Sequence, residues 1–401
     1  MQRVVVTGLG TVSSIGIGVD EFREGLRSGR SGISPIASFD TTGFPHVHGG
    51  EVPDFVPEKL LRRLRPHEWG RASQFAASAA RLAVEDANLA DGDVAPERAG
   101  TVMGTTSGES QVVEALTAEQ VNAGLPGMSA GLLRQVPASR LANSVSAELG
   151  FAGESMTVAT ACSASNYALG YAYDLIATGE ADVMVAGGAD AVCRWAHAGF
   201  YRLGALTERV CSPFDQDRSG ILTGEGGVAL VLESMEHALA RGVRPHAEML
   251  GYGLNCDANH MVSPDADSIA ACMVRAHTNA GITPADVDYI SAHGTGTPAN
   301  DLMEAQAVLQ VFGDTPPPMS SIKSMLGHTM GAASGFGAVA STLAITEGFL
   351  PPTMNWSTPD PDMSGIDPVP NTARSTTVNV AQNNGFAFGG NNAIILLGAV
   401  T

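Results

Sequence analysis

Long apolar runs and positive charge are both scarce in this sequence. The longest uninterrupted apolar stretches, such as AIILLGAV at 393–400, are far shorter than the roughly 18–20 residues of a membrane-spanning helix. The 22 Lys and Arg are outnumbered by 41 Asp and Glu, a formal net charge of −19, which argues against nucleic acid as a partner. Because the N-terminal MQRVVVTGLG is too short in its apolar part for a signal peptide, we expect a cytoplasmic protein with no membrane segment.

Cysteine is also sparse, with five residues at positions 162, 193, 211, 256 and 272. Their odd number and irregular spacing favour reduced thiols over a disulfide framework. Cys256 and His260 lack a second ligand pair at metal spacing, and the motif from Gly8 to Gly10 lacks the third glycine of a dinucleotide-binding loop. We therefore expect no catalytic metal and no organic cofactor, and we interpret the Gly-Leu-Gly as a tight turn after a buried strand.

Apolar residues and glycine are plentiful instead. Apolar residues make up 44% of the chain, charged residues only 16%, and there are 47 glycines, a composition typical of a tightly packed globular protein. A chain of 401 residues is long enough for about two domain-sized cores. Short β-branched runs bounded by glycine alternate with Ala-rich stretches at 74–89, 268–281 and 300–313, which predicts an α/β protein.

The predicted strands fall into two matching sets of five. The first set is RVVVTGLG, RAGTVMG, MTVATAC, ADVMVAGGA and GGVALVLE, and the second is HAEMLGYG, DVDYISAHG, SSIKS, TTVNVAQNN and NAIILLG. This internal duplication predicts two similar α/β halves, which we place at 1–245 and 246–401. Additional segments around 20–75 and 105–150 are expected to build a cap and an oligomer surface on the first half. Since no Pro/Ser linker separates the halves, we expect one two-lobed body.

The segment TVATACSASNYALGYAYDLIATG at 157–179 predicts a buried strand that turns into a helix ended by Gly179. Cys162 then lies at the helix N-terminus, where free backbone N–H groups and the helix dipole favour a thiolate. A lone buried cysteine is usually inert. The assignment of Cys162 as a nucleophile therefore needs support from elsewhere in the chain.

That support comes from SAHGTGTPANDLMEAQ and SSIKSMLGHTMGAASG in the second half. They place His293, Lys323 and His328 just beyond adjacent strand ends. Since the third strands of the two halves are equivalent, we expect the Cys162 turn and the turn with Lys323 and His328 to meet across a pseudo-twofold axis. One histidine at a strand end is usually structural. Two that converge with a helix-capped cysteine indicate catalysis.

Taken in order, TACSAS, CSPFDQDRSGILTGEG, DANHMVSP, AHGTGTPANDLMEA, SSIKSMLGH and NNGFAFGGNNA resemble the motifs of β-ketoacyl-acyl carrier protein synthases of the elongating, ketosynthase II type, within the thiolase superfamily. The resemblance covers essentially the whole chain. It implies a thiolase-like fold with five αβαβα layers, and an acyltransferase that performs a decarboxylative Claisen condensation with malonyl-acyl carrier protein. It also implies a homodimer or a heterodimer with a chain-length factor.

The resemblance assigns catalytic roles to four side chains. Cys162 carries the acyl group, His293 and His328 promote decarboxylation through their N–H groups, and Lys323 orients the polar network. The backbone N–H groups of Cys162 and Phe388 are expected to form an oxyanion hole.

Supporting roles follow from the same resemblance. Phe386, with Ala387 beside it, is expected to act as a gate over the nucleophile, and Asp301 and Glu304 are expected to form an acidic pair on one helical face. Three positions depart from the family, and one of them is Asn391, which occupies a position that is often Thr or His. Gly337 stands where many relatives have an acidic residue, which leaves the lysine without its usual carboxylate partner. Ala387 replaces a common glycine and resists positive φ, so gate motion is expected to differ.

Four arginines, Arg62, Arg63, Arg65 and Arg71, lie within ten residues of one another. On an acidic protein they form a local basic patch suited to an acidic carrier protein. A solvated helix face explains the same pattern equally well.

Several other functions are compatible with part of the pattern. A degradative thiolase needs a second cysteine near its C-terminus, but the last one here is Cys272. An initiating, ketosynthase III-like enzyme pairs its cysteine with one histidine and an asparagine. A non-catalytic chain-length-factor-like partner loses the nucleophile, and a Cys/His acyl hydrolase leaves the second histidine and the lysine unexplained. Elongation is therefore favoured, and the spelling SSIKSMLGH favours a polyketide product over a fatty acid.

Overall fold

The computed structural model describes all 401 residues. The helices are α1 (Val19–Ser28), α2 (Arg71–Asp86), α3 (Ser110–Ala123), α4 (Ala130–Leu133), α5 (Arg140–Leu149), α6 (Ala164–Ala177), α7 (Arg194–Arg202), α8 (Met235–Ala240), α9 (Ala266–Ala280), α10 (Pro298–Phe312), α11 (Lys323–Leu326) and α12 (Ala333–Glu347). No helix combines the length and apolarity that a bilayer span requires.

The strands are β1 (Val4–Ser13), β2 (Gly16–Ile17), β3 (Ser34–Pro35), β4 (His48–Gly50), β5 (Ala99–Gly104), β6 (Ser155–Val158), β7 (Val183–Asp190), β8 (Thr223–Gly224), β9 (Gly226–Ser234), β10 (Ala247–Cys256), β11 (Tyr289–Ser291), β12 (Met319–Ser320), β13 (Phe349–Leu350), β14 (Arg374–Ser375), β15 (Val380–Phe386) and β16 (Asn391–Gly398). A strand lies at each of the ten predicted places, which confirms that part of the interpretation for nine of them. The prediction SSIKS at 320–324 is mostly wrong, because β12 covers only Met319–Ser320 and helix α11 begins at Lys323.

Those ten strands form one path in the order β12-β11-β15-β16-β10-β1-β9-β7-β5-β6. In each half the order from the edge inwards is third, second, fourth, fifth and first strand. The pairings match as well, because the second strand is parallel to the third and fourth while the fifth is antiparallel to both its neighbours. The duplication is therefore a duplication of connectivity. The halves join where Val4–Val6 of β1 pairs antiparallel with Ala247–Met249 of β10.

Helices separate the sheet halves into layers. The central layer contains α6 and α12, which pack on each other and contact strands of both halves, while α2 and α5 cover one outer face and α9 and α10 the other. Residues 333–344 of α12 are all buried, as expected for a helix that is apolar on every side. This gives the five layers α, β, α, β, α. The residue boundary between the halves stays a prediction.

The turn expected at Gly8–Gly10 is wrong, because β1 runs unbroken from Val4 to Ser13. These glycines lie under α2 instead. A Cβ atom at Gly10 would lie 1.9 Å from the carbonyl oxygen of Ala79, and one at Gly8 would lie 2.1 Å from that of Ala83. The missing side chains therefore let the helix backbone approach the strand closely.

Candidate active site

Two backbone turns of matching shape lie at the centre of the molecule. One is the 3₁₀ turn Ala161–Ser163 between β6 and α6, and the other is Met330–Ala332 ahead of α12. Each begins with a non-glycine residue at positive φ, 49° at Ala161 and 54° at Met330, a strained conformation that the surrounding structure must hold. The two turns contact each other, so the predicted meeting of the two halves at this point is confirmed.

Cys162 lies within the first turn, just before α6, and only 6% of its surface is exposed. Burial raises the pKa of the Cys162 thiol to about 12, against opposing effects of the Lys323 ammonium and of the backbone N–H groups of Cys162 and Phe388. The expected thiolate at the helix start is therefore not the resting state, because loss of hydration outweighs the favourable dipoles. Both backbone amides thus act on the pKa of the sulfur, and their role as an oxyanion hole stays a prediction.

His293 and His328 lie next to each other, with ring centroids 5.7 Å apart and ring planes at 79°. Burial and the charge of Lys323 hold the pKa of each imidazole well below its usual range, so both rings are neutral at neutral pH. Nδ1 of His328 accepts a hydrogen bond of 3.1 Å from the Met330 backbone N–H. The ring proton of His328 is therefore on Nε2, which can donate to a developing oxyanion.

Lys323 is buried, and its Nζ donates a hydrogen bond of 2.5 Å to the carbonyl oxygen of His293. Burial lowers the pKa of Lys323, and the main opposing influence is the negative charge of Glu304. Glu304 is thus the carboxylate with the largest effect on the pKa of Lys323, and burial raises the pKa of Glu304 itself. At Gly337 a Cβ atom would lie 2.3 Å from Oδ1 of Asn383, so a neutral amide occupies the space next to this glycine.

Asp301 and Glu304 lie on one buried face of α10, as predicted. Glu304 accepts hydrogen bonds from the backbone N–H groups of His293, at 2.8 Å, and Gly294, at 2.7 Å. Asp301 accepts from the N–H of Thr295 at 3.0 Å. The two carboxylates thus hold the loop that carries His293.

A narrow pocket of about 60 Å³ is lined by Cys162 and His328. Phe386 is the last residue of β15, and its ring centroid lies 5.5 Å from that of His293. Ala387 is not at positive φ, and the left-handed positions fall on Gly389 (89°) and Gly390 (80°). The expected strain at Ala387 is therefore absent in this conformation.

Several residues that line this pocket were not predicted from the sequence. Thr295 and Thr297 stand in the motif from which only His293, Asp301 and Glu304 were selected, and their hydroxyls were the available signal. Phe200 reaches the pocket from α7, and its ring lies 6.0 Å from that of Phe388. Nothing in the chain near Phe200 indicated this role, because the contact joins segments almost 190 positions apart.

The inclusion of Arg71 in an exposed basic patch is wrong. Its guanidinium donates to the buried carboxylate of Glu225 at 2.6 Å and 3.1 Å, and it lies over the ring of Phe75 at 4.6 Å. A guanidinium engaged in this way serves the fold. The side chains of Arg62, Arg63 and Arg65 are exposed, unlike that of Arg71, and each lies near a carboxylate.

Cys256 and His260, the residues of the weak metal motif, have different surroundings. Cys256 is exposed at the end of β10, where its Sγ faces the carbonyl oxygen of Gly389, and His260 lies on the wall of the pocket. His, Cys, Asp and Glu side chains form no group of three at metal-binding separation.

We predict that Lys323→Met slows alkylation of Cys162 by iodoacetamide at pH 8 by severalfold to about tenfold, since one unit of pKa changes the thiolate fraction about tenfold. Removing the positive charge raises the pKa of the Cys162 thiol further, so less thiolate is present. Peptide-resolved mass spectrometry measures the rate, with exposed Cys256 as the internal control. Unchanged or faster alkylation of Cys162 relative to Cys256 would contradict the role given to the Lys323 charge.

Comparison with known proteins agrees with this geometry. The profile of the β-ketoacyl synthase N-terminal domain matches residues 1–238, and that of the C-terminal domain matches 246–357. A 3-oxoacyl-[acyl-carrier-protein] synthase 2 from Synechocystis sp. is 37% identical over 405 residues, which cover 98% of this chain and 97% of the relative.

Two solved structures superimpose over the full length of both chains. The ishigamide ketosynthase/chain length factor is 51% identical with a TM-score of 0.98. A type II polyketide synthase acyl-carrier protein in complex with its ketosynthase bound to the hexaketide matches with 34% identity and a TM-score of 0.92. The resemblance inferred from the motifs is thus confirmed, and the chain belongs to the β-ketoacyl synthase family with its thiolase-like fold.

Proposed function

We propose that this protein is an elongating ketosynthase that condenses an acyl group on Cys162 with a malonyl unit carried by an acyl carrier protein. The observation that carries the proposal is the convergence of Cys162 and His328 on one pocket, with neutral His293 packed against His328. Acyl hydrolysis by a Cys/His pair does not require a second neutral imidazole donor or a buried lysine. A chain-length-factor-like partner has no use for the nucleophile.

The first half-reaction transfers the acyl group. The Cys162 sulfur attacks the carbonyl carbon of the acyl thioester, and the carrier's thiol leaves with the proton that the cysteine gives up. The tetrahedral oxyanion is held by the backbone N–H groups of Cys162 and Phe388, which both act on the sulfur. Because the resting thiol is protonated, its proton must leave as the new carbon–sulfur bond forms.

The second half-reaction forms the carbon–carbon bond. The malonyl thioester loses carbon dioxide, and the electron pair of the broken bond becomes an enolate. Nε2–H of His328, with an N–H of His293, donates to the enolate oxygen. The enolate carbon then attacks the acyl carbonyl carbon, and the Cys162 thiolate leaves and regains a proton. Neutral imidazoles suit this step, because each keeps one N–H to donate.

We predict that Cys162→Ala abolishes acyl transfer and condensation, because it removes the nucleophilic thiol. The protein should stay folded, since the alanine side chain fits in the space of the cysteine. His328→Ala is expected to slow carbon dioxide release from malonyl-acyl carrier protein by a factor of about 10²–10³, the usual effect of losing one oxyanion donor. It should slow acylation of Cys162 much less. Elongation by Cys162→Ala, or equal loss of both steps in His328→Ala, would contradict the assignment.

Carrier docking is proposed at Arg62, Arg63 and Arg65. Their backbone N–H groups lie along a segment that is anchored to the buried carboxylate of Glu148, which also pairs with Arg81 at 2.8 Å. The backbone is thus held in place while the arginine side chains stay exposed. A positively charged patch on an acidic protein raises the encounter rate with an acidic partner.

We predict that Arg63→Glu with Arg65→Glu raises the KM for carrier-bound substrate about fivefold to tenfold at low salt, with little effect on kcat. The difference should shrink at high salt, since exposed charges are then screened. Arg244→Glu with Arg275→Glu, an equal charge change at two exposed arginines elsewhere, serves as the control. A KM that responds equally to both changes would place the docking surface away from this patch.

A partner chain is proposed on the surface of α3 and α7. Val121, Leu125 and Trp195 are 79%, 72% and 66% exposed, and Val121 and Trp195 line one groove. Exposed apolar side chains this large usually mark an interaction surface, and β6 lies at the open edge of the sheet. Because the ishigamide ketosynthase/chain length factor is 51% identical over the full chain, we take the partner to be a chain length factor of the same fold.

We predict that Val121→Glu with Trp195→Glu prevents complex formation with the chain length factor of the ishigamide system, because two charges would be buried in the interface. Light scattering after co-expression measures the mass of the complex. Leu239→Glu, at another exposed apolar residue, is the control and should leave the mass unchanged. A self-paired dimer that persists in the absence of any partner would show that this surface binds a second copy instead.

A polyketide product, a cytoplasmic location and the gate complete the proposal. The match to a type II polyketide ketosynthase bound to the hexaketide, with 34% identity and a TM-score of 0.92 over the full chain, supports a polyketide product. The five cysteines are all unpaired, as suits a reducing compartment. Gating by Phe386 and Ala387 stays a prediction, supported by their place on the pocket wall.

A further inference from the structure

Asp190 ends β7 as a buried carboxylate that the proposed chemistry does not use. Its side chain is 3% exposed and pairs with no lysine or arginine. It accepts hydrogen bonds from the hydroxyl of Thr105 (2.7 Å) and from the backbone N–H groups of Thr106 (2.7 Å), Ser107 (3.2 Å) and Gly331 (2.7 Å). A buried carboxylate is tolerated only when its oxygens accept hydrogen bonds this completely. We therefore ask which part of the structure the hydrogen bonds to Asp190 hold in place.

The Gly331 peptide is held from both sides. Its N–H donates to Asp190, and its carbonyl oxygen accepts a hydrogen bond of 2.6 Å from the hydroxyl of Ser165, on the helix that follows the nucleophile. A Cβ atom at Gly331 would lie 2.5 Å from the Cα of Thr105. The Met330–Ala332 turn is therefore fixed against both the nucleophile helix α6 and the end of β5.

The residue before Gly331 acts directly on the catalytic histidine. Met330, at φ 54°, donates its backbone N–H to Nδ1 of His328. A strained residue keeps its conformation only where its neighbours hold it, and the neighbouring peptide is held by Asp190. We infer that Asp190 is a positioning residue, which acts through the Gly331 peptide and the Met330 N–H to keep His328 in place with its proton on Nε2.

The charge of Asp190 works against the nucleophile. It is among the influences that raise the pKa of the Cys162 thiol, so a neutral side chain would suit Cys162 better. The carboxylate is instead suited to accepting four hydrogen bonds at once, which no neutral side chain of this size does. The hydrogen bonds of Asp190 thus support His328, while its charge disfavours the Cys162 thiolate. Substitutions at Asp190 can separate these two effects.

The test compares Asp190→Ala and Asp190→Asn with the wild-type protein, and it rests on the proposed function because one readout is carbon dioxide release from malonyl-acyl carrier protein. The amide oxygen of Asn can still accept from Gly331, whereas Ala cannot. We expect Asp190→Ala to slow carbon dioxide release by about tenfold to a hundredfold, the cost of a small misplacement, and Asp190→Asn to lose less than about threefold of the rate. Iodoacetamide alkylation of Cys162 at pH 8 should be as fast as in wild type or faster in both variants.

Release by Asp190→Ala within twofold of wild type, equal losses in both variants, or slowed alkylation alongside slowed release would overturn the positioning role. If Asp190→Ala does not fold, Ser165→Ala removes the opposite hydrogen bond to Gly331 and should slow release while sparing alkylation. Absence of carbon dioxide release by the wild-type protein would overturn the proposed function, and the alkylation rates would separate that outcome from a failure of the Asp190 inference.

Discussion

The close approach of the two elbows, Ala161–Ser163 and Met330–Ala332, is the constraint on which the rest of the site depends. It is possible because side chains are small or missing where the backbones meet. A Cβ atom at Gly188 would lie 2.8 Å from the carbonyl oxygen of Gly331 and 2.7 Å from that of Gly104. Larger residues would force the halves apart. The nucleophile and the His328 turn would then separate with them.

Burial of the site sets its electrostatics. Dehydration keeps the Cys162 thiol protonated and both histidines neutral, as the directions of their pKa shifts indicate. Burial also lowers the pKa of Lys323 and raises the pKa of Glu304, and the backbone of His293 is hydrogen-bonded to both side chains. The same low-polarity environment that penalises each charge strengthens the hydrogen bonds that act on a developing oxyanion. The catalytic groups are therefore arranged for a charge that appears only during the reaction.

A hydrogen-bonded network of Asn166 and Asn383 lies beside Gly337, where many relatives have an acidic residue. Nδ2 of Asn383 donates to Oδ1 of Asn166 and to the carbonyl oxygen of Ser334, both at 2.8 Å, and Nδ2 of Asn166 donates to the carbonyl oxygen of Ala393 at 3.0 Å. These contacts join α6, α12 and the strands that lead to Phe388. Paired amides satisfy one another without adding a buried charge beside Gly337, and the carboxylate that acts most on Lys323 is Glu304 instead.

The sequence by itself determined the ten strands, the duplication and the four catalytic candidates, because apolar periodicity and glycine-bounded motifs are local signals. Tertiary structure alone decided the rest. Arg71 looked like its exposed neighbours until the fold placed Glu225 against it, and Gly8 and Gly10 looked like a turn until α2 was packed on them. The ionisation of Cys162 was misjudged for the same reason. Dehydration and long-range charge come from residues distant along the chain, so no local pattern records them.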